Sequence, residues 1–198
     1  MKVIGLTGGI GSGKSTVARF LAEMGAATVD LDRVGHEVIK QAAIRKRLAG
    51  EFGRDIVAAD GEIDRTRLGR LVFNDPEALS RLNAIVHPAI DNKVRDLLDG
   101  YRQKGMKVAV LEAAAMLEAG RRDDFDELWV AVAPEAVALD RLAGRGGLSR
   151  EEALDRLRSQ LTDEERVRQA DVIIDTDCAL DKLRERVAAE WGKLLERL

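Results

Sequence analysis

The sequence predicts an α/β fold of three layers, helix on sheet on helix, around a five-stranded parallel sheet. Three observations carry that expectation. Short runs rich in Val, Ile, Leu and Ala alternate with segments of helical period, the pattern of successive βαβ units. A glycine-rich stretch, Gly8-Gly9-Ile10-Gly11-Ser12-Gly13-Lys14-Ser15, joins the first such run to the first such helix. The segment between the second and third runs far exceeds the dozen or so residues of a plain crossover, and so predicts an inserted helical subdomain.

Taken in order, Lys2–Thr7 reads as the first strand, its apolar centre suited to burial on both faces. The helix predicted at Lys14–Met24 places Val17, Phe20, Leu21 and Met24 at i, i+3, i+4 and i+7, and Gly25 closes it. Ala27–Asp30 is the second strand. The helical insertion follows over about 33–104 and is the expected substrate-recognition element; Pro88 is expected to kink or start a helix there. Lys107–Leu111 and Leu128–Ala133 supply the third and fourth strands. The stretch of about 141–168 reads as a lid: Gly144, Gly146 and Gly147 form a hinge before a charged helix opening at Ser149, with Glu152 three positions on. Asp171–Ile174 is the fifth strand, and Ala179–Leu198 the last helix, with Leu183, Val187, Trp191 and Leu194 on one face. The expected organisation is a single domain over 1–198, its core made of 1–32, 105–140 and 169–198.

Bulk properties narrow the function classes. The 198 residues are enough to bury a sizeable core. The chain is 45% hydrophobic and 34% charged with net charge −3, so no global basic field is available to hold nucleic acid. A single cysteine, Cys178, excludes an internal disulfide and fits a reducing compartment. No apolar run approaches the ~18–20 residues of a membrane span. The N-terminus enters the first strand without a signal-like segment, and a cytoplasmic protein with no membrane partner is expected.

Residues 8–15 match G-x-x-x-x-G-K-[ST], with a strand before and a helix after, the context of a phosphate-binding P-loop. Glycines let successive backbone N–H groups curl inward around an anion. The helix starting near Lys14 adds its free N-terminal donors and its dipole. Lys14 is expected to reach the β/γ-phosphates and Ser15 to ligate Mg²⁺. Phosphoryl transfer also needs a carboxylate at the attacking group. Asp32 lies just past the second strand, at the sheet edge that also carries the P-loop, and Glu112 ends the third strand in the manner of a Walker B acid. Arginines complete the requirement, because a planar fork pairs with phosphate oxygens. Arg141 and Arg145, four apart at the lid entrance, are the candidates.

Several pieces together resemble the dephospho-coenzyme A kinase family. They are Leu6 to Thr16 read as L-T-G-G-I-G-S-G-K-S-T, Asp30-Leu31-Asp32, His87-Pro88, Leu117-Glu118-Ala119-Gly120, Arg141, Arg145, Gln160 and Ala170 to Asp175 read as A-D-V-I-I-D. The resemblance spans essentially the whole chain. It implies a P-loop kinase core that transfers the γ-phosphoryl of ATP to the ribose 3′-hydroxyl of dephospho-CoA, the last step of CoA biosynthesis. The implied cofactors are ATP and Mg²⁺, and the implied partners are the two substrates of a monomer or weak homo-oligomer. Catalytic roles then fall to Asp32 as base or orienter, Lys14 and Arg141. Gly9, Ile10, Gly11, Ser12, Gly13, Lys14, Ser15, Thr16 and Arg145 bind ATP; Thr7, Asp32, His87 and Glu112 face the acceptor. Four departures from the family pattern are visible. Ala114-Ala115-Met116 replaces a frequent Pro-Leu-Leu, Glu112 replaces a usual aspartate, Gly146 replaces a frequent acidic residue after the lid arginine, and Asp175-Thr176 replaces a common Asp-Asn.

Two other readings compete. A nucleoside monophosphate or shikimate kinase would share the P-loop, but the long insertion and the His87-Pro88 segment argue against it. A nucleotide-binding switch is opposed, in its GTP-dependent form, by the absence of any N-K-x-D guanine-reading segment; as a non-catalytic binding module the chain would be expected to lose Lys14 or the nearby carboxylate, and both are present.

Overall fold

In a computed structural model describing residues 1–72, 75–144 and 149–198, five parallel strands form one sheet. They are β1 (Lys2–Thr7), β2 (Ala27–Asp30), β3 (Val108–Glu112), β4 (Glu127–Val132) and β5 (Val172–Asp175), in the order β2-β3-β1-β4-β5. β1 is central, with Lys2 opposite Val108 of β3 and Ile4 opposite Glu127 of β4. The central strands are buried on both faces, which is why they read as continuous apolar runs instead of alternating ones.

Chain order and register fix which ends converge. All strands are parallel, so their C-terminal residues, Thr7, Asp30, Glu112, Val132 and Asp175, lie along one edge, where α/β folds carry their ligands. Helix α1 (Lys14–Glu23) follows β1. Its Val17, Phe20 and Leu21 pack with Ile4, Leu6, Val110, Trp129 and Ile174 of the sheet and with Leu183, Val187, Trp191 and Leu194 of the last helix. The opposite face of β1 is stepped by Gly5. A Cβ there would come 2.6 Å from the Phe125 ring and 2.9 Å from Met116 Sδ, so glycine is what lets the segment after β3 lie directly on the strand.

The chain divides into two compact units, 1–30 with 101–198, and 31–100. The second holds α2 (Leu31–Ile39), α3 (Ala42–Phe52), α4 (Arg65–Val72) and all but the last residues of α5 (Pro76–Gln103). Val38, Leu48, Ile56, Leu68 and Val72 are buried in it. Aspartates open two of its helices: Asp64 Oδ1 accepts from the Thr66 and Arg67 amides, and Asp75 Oδ1 from Glu77 and Ala78, with Pro76 at the first helical position. Pro88 does not start a helix. It sits inside α5, which continues through it and gives up one main-chain hydrogen bond.

In the first unit, β5 is preceded by α6 (Glu135–Gly144), α7 (Arg150–Arg158) and α8 (Asp163–Val167), and followed by α9 (Leu180–Glu196). Both α7 and α8 open with a capping box, Ser149 with Glu152 and Thr162 with Glu165. Of the hinge glycines, Gly144 ends α6, while Gly146 and Gly147 lie outside the described residues. β3, β4 and β5 each sit one residue off the sequence expectation, so Glu112 ends β3, Glu127 begins β4 and Asp175 ends β5. Glu127 tolerates an interior position because its carboxylate collects Lys2 Nζ at 3.0 Å, Trp129 Nε1 at 3.1 Å and Arg197 Nη2 at 2.9 Å. Burial opposes its charge most strongly, yet the Arg197, Trp129 and Lys2 hydrogen bonds together hold the carboxyl below its ordinary range. Among the described residues no helix is long and apolar enough to cross a membrane.

Candidate phosphate-binding site

Between Thr7 and Lys14 the chain makes the turn that glycine chemistry anticipates. Gly11 has φ 80° and lies against α6, where a Cβ would come 2.6 Å from the Ala138 carbonyl oxygen. Gly13 caps α1 in the left-handed conformation, with no side chain bonded to the helix end and no acidic residue in its first turn. The free amides and the dipole of α1 are therefore left for an anion. The cavity over this loop, about 210 Å³, is lined by Gly9 to Ser15 with Ala114 and Gln160. Ser12 Oγ is buried and has no protein partner.

Lys14 projects beside the end of β3. Its Nζ is 3.4 Å from Glu112 Oε2, and both side chains are about 15% exposed, 14% and 15%. The lysine and the strand-end acid thus share one partly shielded spot. Thr7 is fully buried, and its hydroxyl donates to the Ala114 carbonyl at 3.2 Å. That bond ties the end of β1 to the chain after β3; Thr7 serves the site as a brace. Ser15 is exposed and Thr16 half-buried in the first turn of α1.

Arg141 faces the loop from α6. Nη1 donates to the Gly11 carbonyl at 3.2 Å and to Thr176 Oγ1 at 2.9 Å, and Nη2 to the Thr176 carbonyl at 2.7 Å. The Thr176 hydroxyl in turn donates to the Ser12 carbonyl at 2.7 Å. The guanidinium expected at the phosphates is here bonded to the back of the loop, where it fixes two of the loop's carbonyls. Arg145 lies outside the described residues.

The turn between α7 and α8 reaches the other flank. Gln160 Oε1 accepts the Ile10 amide at 2.9 Å. Arg166, 1% exposed, donates to Glu118 Oε1 at 3.0 Å and to the Leu161 carbonyl, with Asp163 Oδ1 at 3.5 Å. Burial pushes the Asp163 carboxyl above its ordinary range against the nearby charge of Arg166.

The structure thus brings together Thr7, the loop 9–16, Glu112 and Arg141 in the first unit. Asp32 is exposed in the first turn of α2, and His87 is half-buried midway along α5; both belong to the second unit. Thr176 and Arg166 are the residues sequence reasoning missed. Thr176 was noted only as a departure, and Arg166 sits in a segment so charged that it reads as solvated. Glu118 and Gln160, both among the residues that carry the family resemblance, were the available signal. Oxygen donors dominate the cradle, and among the described residues no group of three or more His, Cys, Asp and Glu could hold a metal. Ser15 and Glu112 carry side-chain oxygens of the kind a hard cation takes.

A glycine loop between the central strand and a helix, with its lysine on a strand-end acid, defines a P-loop protein. The comparisons with known proteins give the particular family. The chain belongs to the dephospho-CoA kinase family, which it matches over residues 2–182. A dephospho-CoA kinase of Dehalococcoides mccartyi is 44% identical over 94% of this chain and 94% of its own. A Thermus thermophilus crystal structure is 34% identical with TM-score 0.85, covering 98% of this chain and 97% of that one. The dephospho-CoA kinase of Campylobacter jejuni is 25% identical with TM-score 0.70, covering 97% and 96%.

Proposed function

We propose that this protein transfers the γ-phosphoryl group of ATP to the ribose 3′-hydroxyl of dephospho-CoA, giving CoA and ADP. The observation that carries the reading is the near full-length membership of a family named for that substrate, on a chain with an intact phosphate cradle. Backbone amides of Gly9 to Lys14 would bind the donor phosphates, and Thr16 and Arg145 would add contacts on the nucleotide side. Lys14 leaves Glu112 for the β/γ oxygens, a short swing between two anionic partners. Ser15, with Glu112 through water, would hold Mg²⁺, which would supply positive charge to offset that of the donor phosphates. Arg141 supports catalysis from behind by keeping Gly11 and Ser12 aimed.

The acceptor proton is assigned to Asp32, two residues beyond Asp30, which pairs in register with Glu112. Asp32 matches the family's aspartate at the acceptor hydroxyl, and His87 falls in the insertion assigned to substrate binding. Two assays test this. Mg-ATP is incubated with dephospho-CoA, AMP, CMP, shikimate or gluconate while ADP release is followed; dephospho-CoA alone should support turnover, and turnover of another acceptor in its place overturns the reading. Asp32→Asn should then lower kcat by roughly 10²–10⁴ with little change in the KM for ATP. Near-normal kcat would remove Asp32 from the role.

A further inference from the structure

Arg166 costs more to bury than its surroundings explain. A guanidinium taken out of water needs every donor satisfied, and a protein whose whole buried ion pair is replaced by apolar side chains of similar volume is often no less stable. Here the residue is 1% exposed and its Nε has no hydrogen-bond partner. Apart from a long contact of Nη1 with Asp163 Oδ1 at 3.5 Å, the other donors are spent on one narrow target. Nη2 holds Glu118 Oε1 at 3.0 Å, that same oxygen accepts the Leu161 amide at 3.2 Å, and Nη1 holds the Leu161 carbonyl. The two peptide groups of Leu161 are therefore gripped from both sides, by a carboxylate and by the arginine that pairs with it.

The residue before that grip is Gln160, whose Oε1 accepts the Ile10 amide at 2.9 Å. A Cβ built on Gly9 would come 3.4 Å from Arg166 Nη1, 3.7 Å from Asp163 Oδ1 and 3.8 Å from Gln160 Oε1, so the same cluster lies flush on the loop backbone. Converging amide dipoles repel one another when no anion neutralises them. A neutral acceptor at Ile10 relieves that repulsion without bringing a charge that would compete with phosphate. We propose that Arg166 is a positioning residue for the donor phosphates: through Glu118 and Leu161 it holds Gln160 on Ile10 and keeps the first half of the cradle shaped for the nucleotide.

The inference rests on the P-loop part of the proposed function and not on the identity of the acceptor. Mg-ATP binding is therefore measured directly by titration calorimetry, beside thermal melting, for the parent and for Arg166→Met, Arg166→Lys, Gln160→Ala and the Arg166→Met/Gln160→Ala pair. Arg166→Met, which strips Glu118 and Asp163 of their partner, should lower the melting temperature and weaken binding about tenfold, and Gln160→Ala, which leaves those ion pairs intact, should weaken binding to a similar degree with the melting temperature nearly unchanged. The double variant should be no weaker than the worse single one, because both act on one amide. Arg166→Lys, able to reach one of the two partners, should recover part of the loss. Additive losses in the pair, or parent-like binding by Gln160→Ala, overturn the proposal. Should Arg166→Met fail to fold, Glu118→Ala opens the same grip from its more exposed side and must weaken binding likewise. Failure of the parent itself to bind Mg-ATP would instead overturn the P-loop reading.

Discussion

Replacing Thr176 by valine removes one oxygen and keeps the shape, which makes it the sharpest probe of how the loop is held. The hydroxyl is fully buried, so water cannot stand in for what is lost. What disappears is the bond accepted from the Arg141 guanidinium at 2.9 Å and the one its single proton donates to the Ser12 carbonyl at 2.7 Å, with the Val132 carbonyl the alternative acceptor at 3.1 Å. A hydrogen bond to a charged group contributes about 1.5–3 kcal/mol and a neutral one about 1, so the expected loss is roughly 2.5–4 kcal/mol. At about 2–4 °C per kcal/mol for a chain of this size, the melting temperature should fall by about 5–15 °C. Both bonds also aim loop carbonyls, so the KM for ATP should rise together with the loss of stability. The assay is calorimetric melting beside steady-state kinetics, with Thr176→Ser, which keeps the hydroxyl, as the control. A valine variant melting within about 1 °C of the parent with unchanged KM would refute the role given to this residue.

Other expectations follow from the same geometry. Gly11→Ala should abolish nucleotide binding, since its Cβ would sit 2.6 Å from a main-chain oxygen at φ 80°; calorimetric titration with Mg-ATP reads this out. Lys14→Ala should remove detectable turnover, and an active variant would put the nucleotide elsewhere. Glu127 has a folded-state pKa below its unfolded value near 4.5, so its contribution is complete above about pH 4.5 and is lost as pH falls through the lower folded value. Urea midpoints measured from about pH 6 to about pH 3 should therefore fall less steeply for Glu127→Gln, the difference reaching at most ~1.4 kcal/mol per pH unit for one proton.

The strands were legible because burial on both faces leaves only apolar side chains, as in Val108 to Leu111. β4 slipped by a residue because Glu127 looks like a strand boundary until Lys2, Trp129 and Arg197 are brought to it from distant places in the chain. The phosphate loop was legible for a local reason: its conformation is written in consecutive glycines. Arg141 was legible as an arginine beside the loop, but its partners were not, since a threonine 35 residues on gives no pattern. Arg166 was hidden more deeply. Nothing in the mixed charges of α7 and α8 marks one of them for burial, and its partner Glu118 lies 48 residues upstream. Pro88 misled because proline is read as a breaker, whereas a long helix such as α5 can forgo one bond.

The order of the strands also bears on how the protein is made. β1 precedes in sequence both strands that flank it, and each of them comes about a hundred residues later. While those residues are still being synthesised, an emerging chain presents Val3, Ile4 and Leu6 with neither neighbour available to cover them. Pairings this distant close slowly, and exposed apolar strand is what holding chaperones bind and what aggregates at high expression. The glycine loop cannot take shape either, because Ala138, Gln160 and Thr176, which fix it, are translated later still. Nucleotide therefore cannot act as a scaffold for the nascent chain. It can stabilise the protein only after nearly all of the first unit has been released, so ATP should protect the finished protein from unfolding yet leave its early folding rate unchanged.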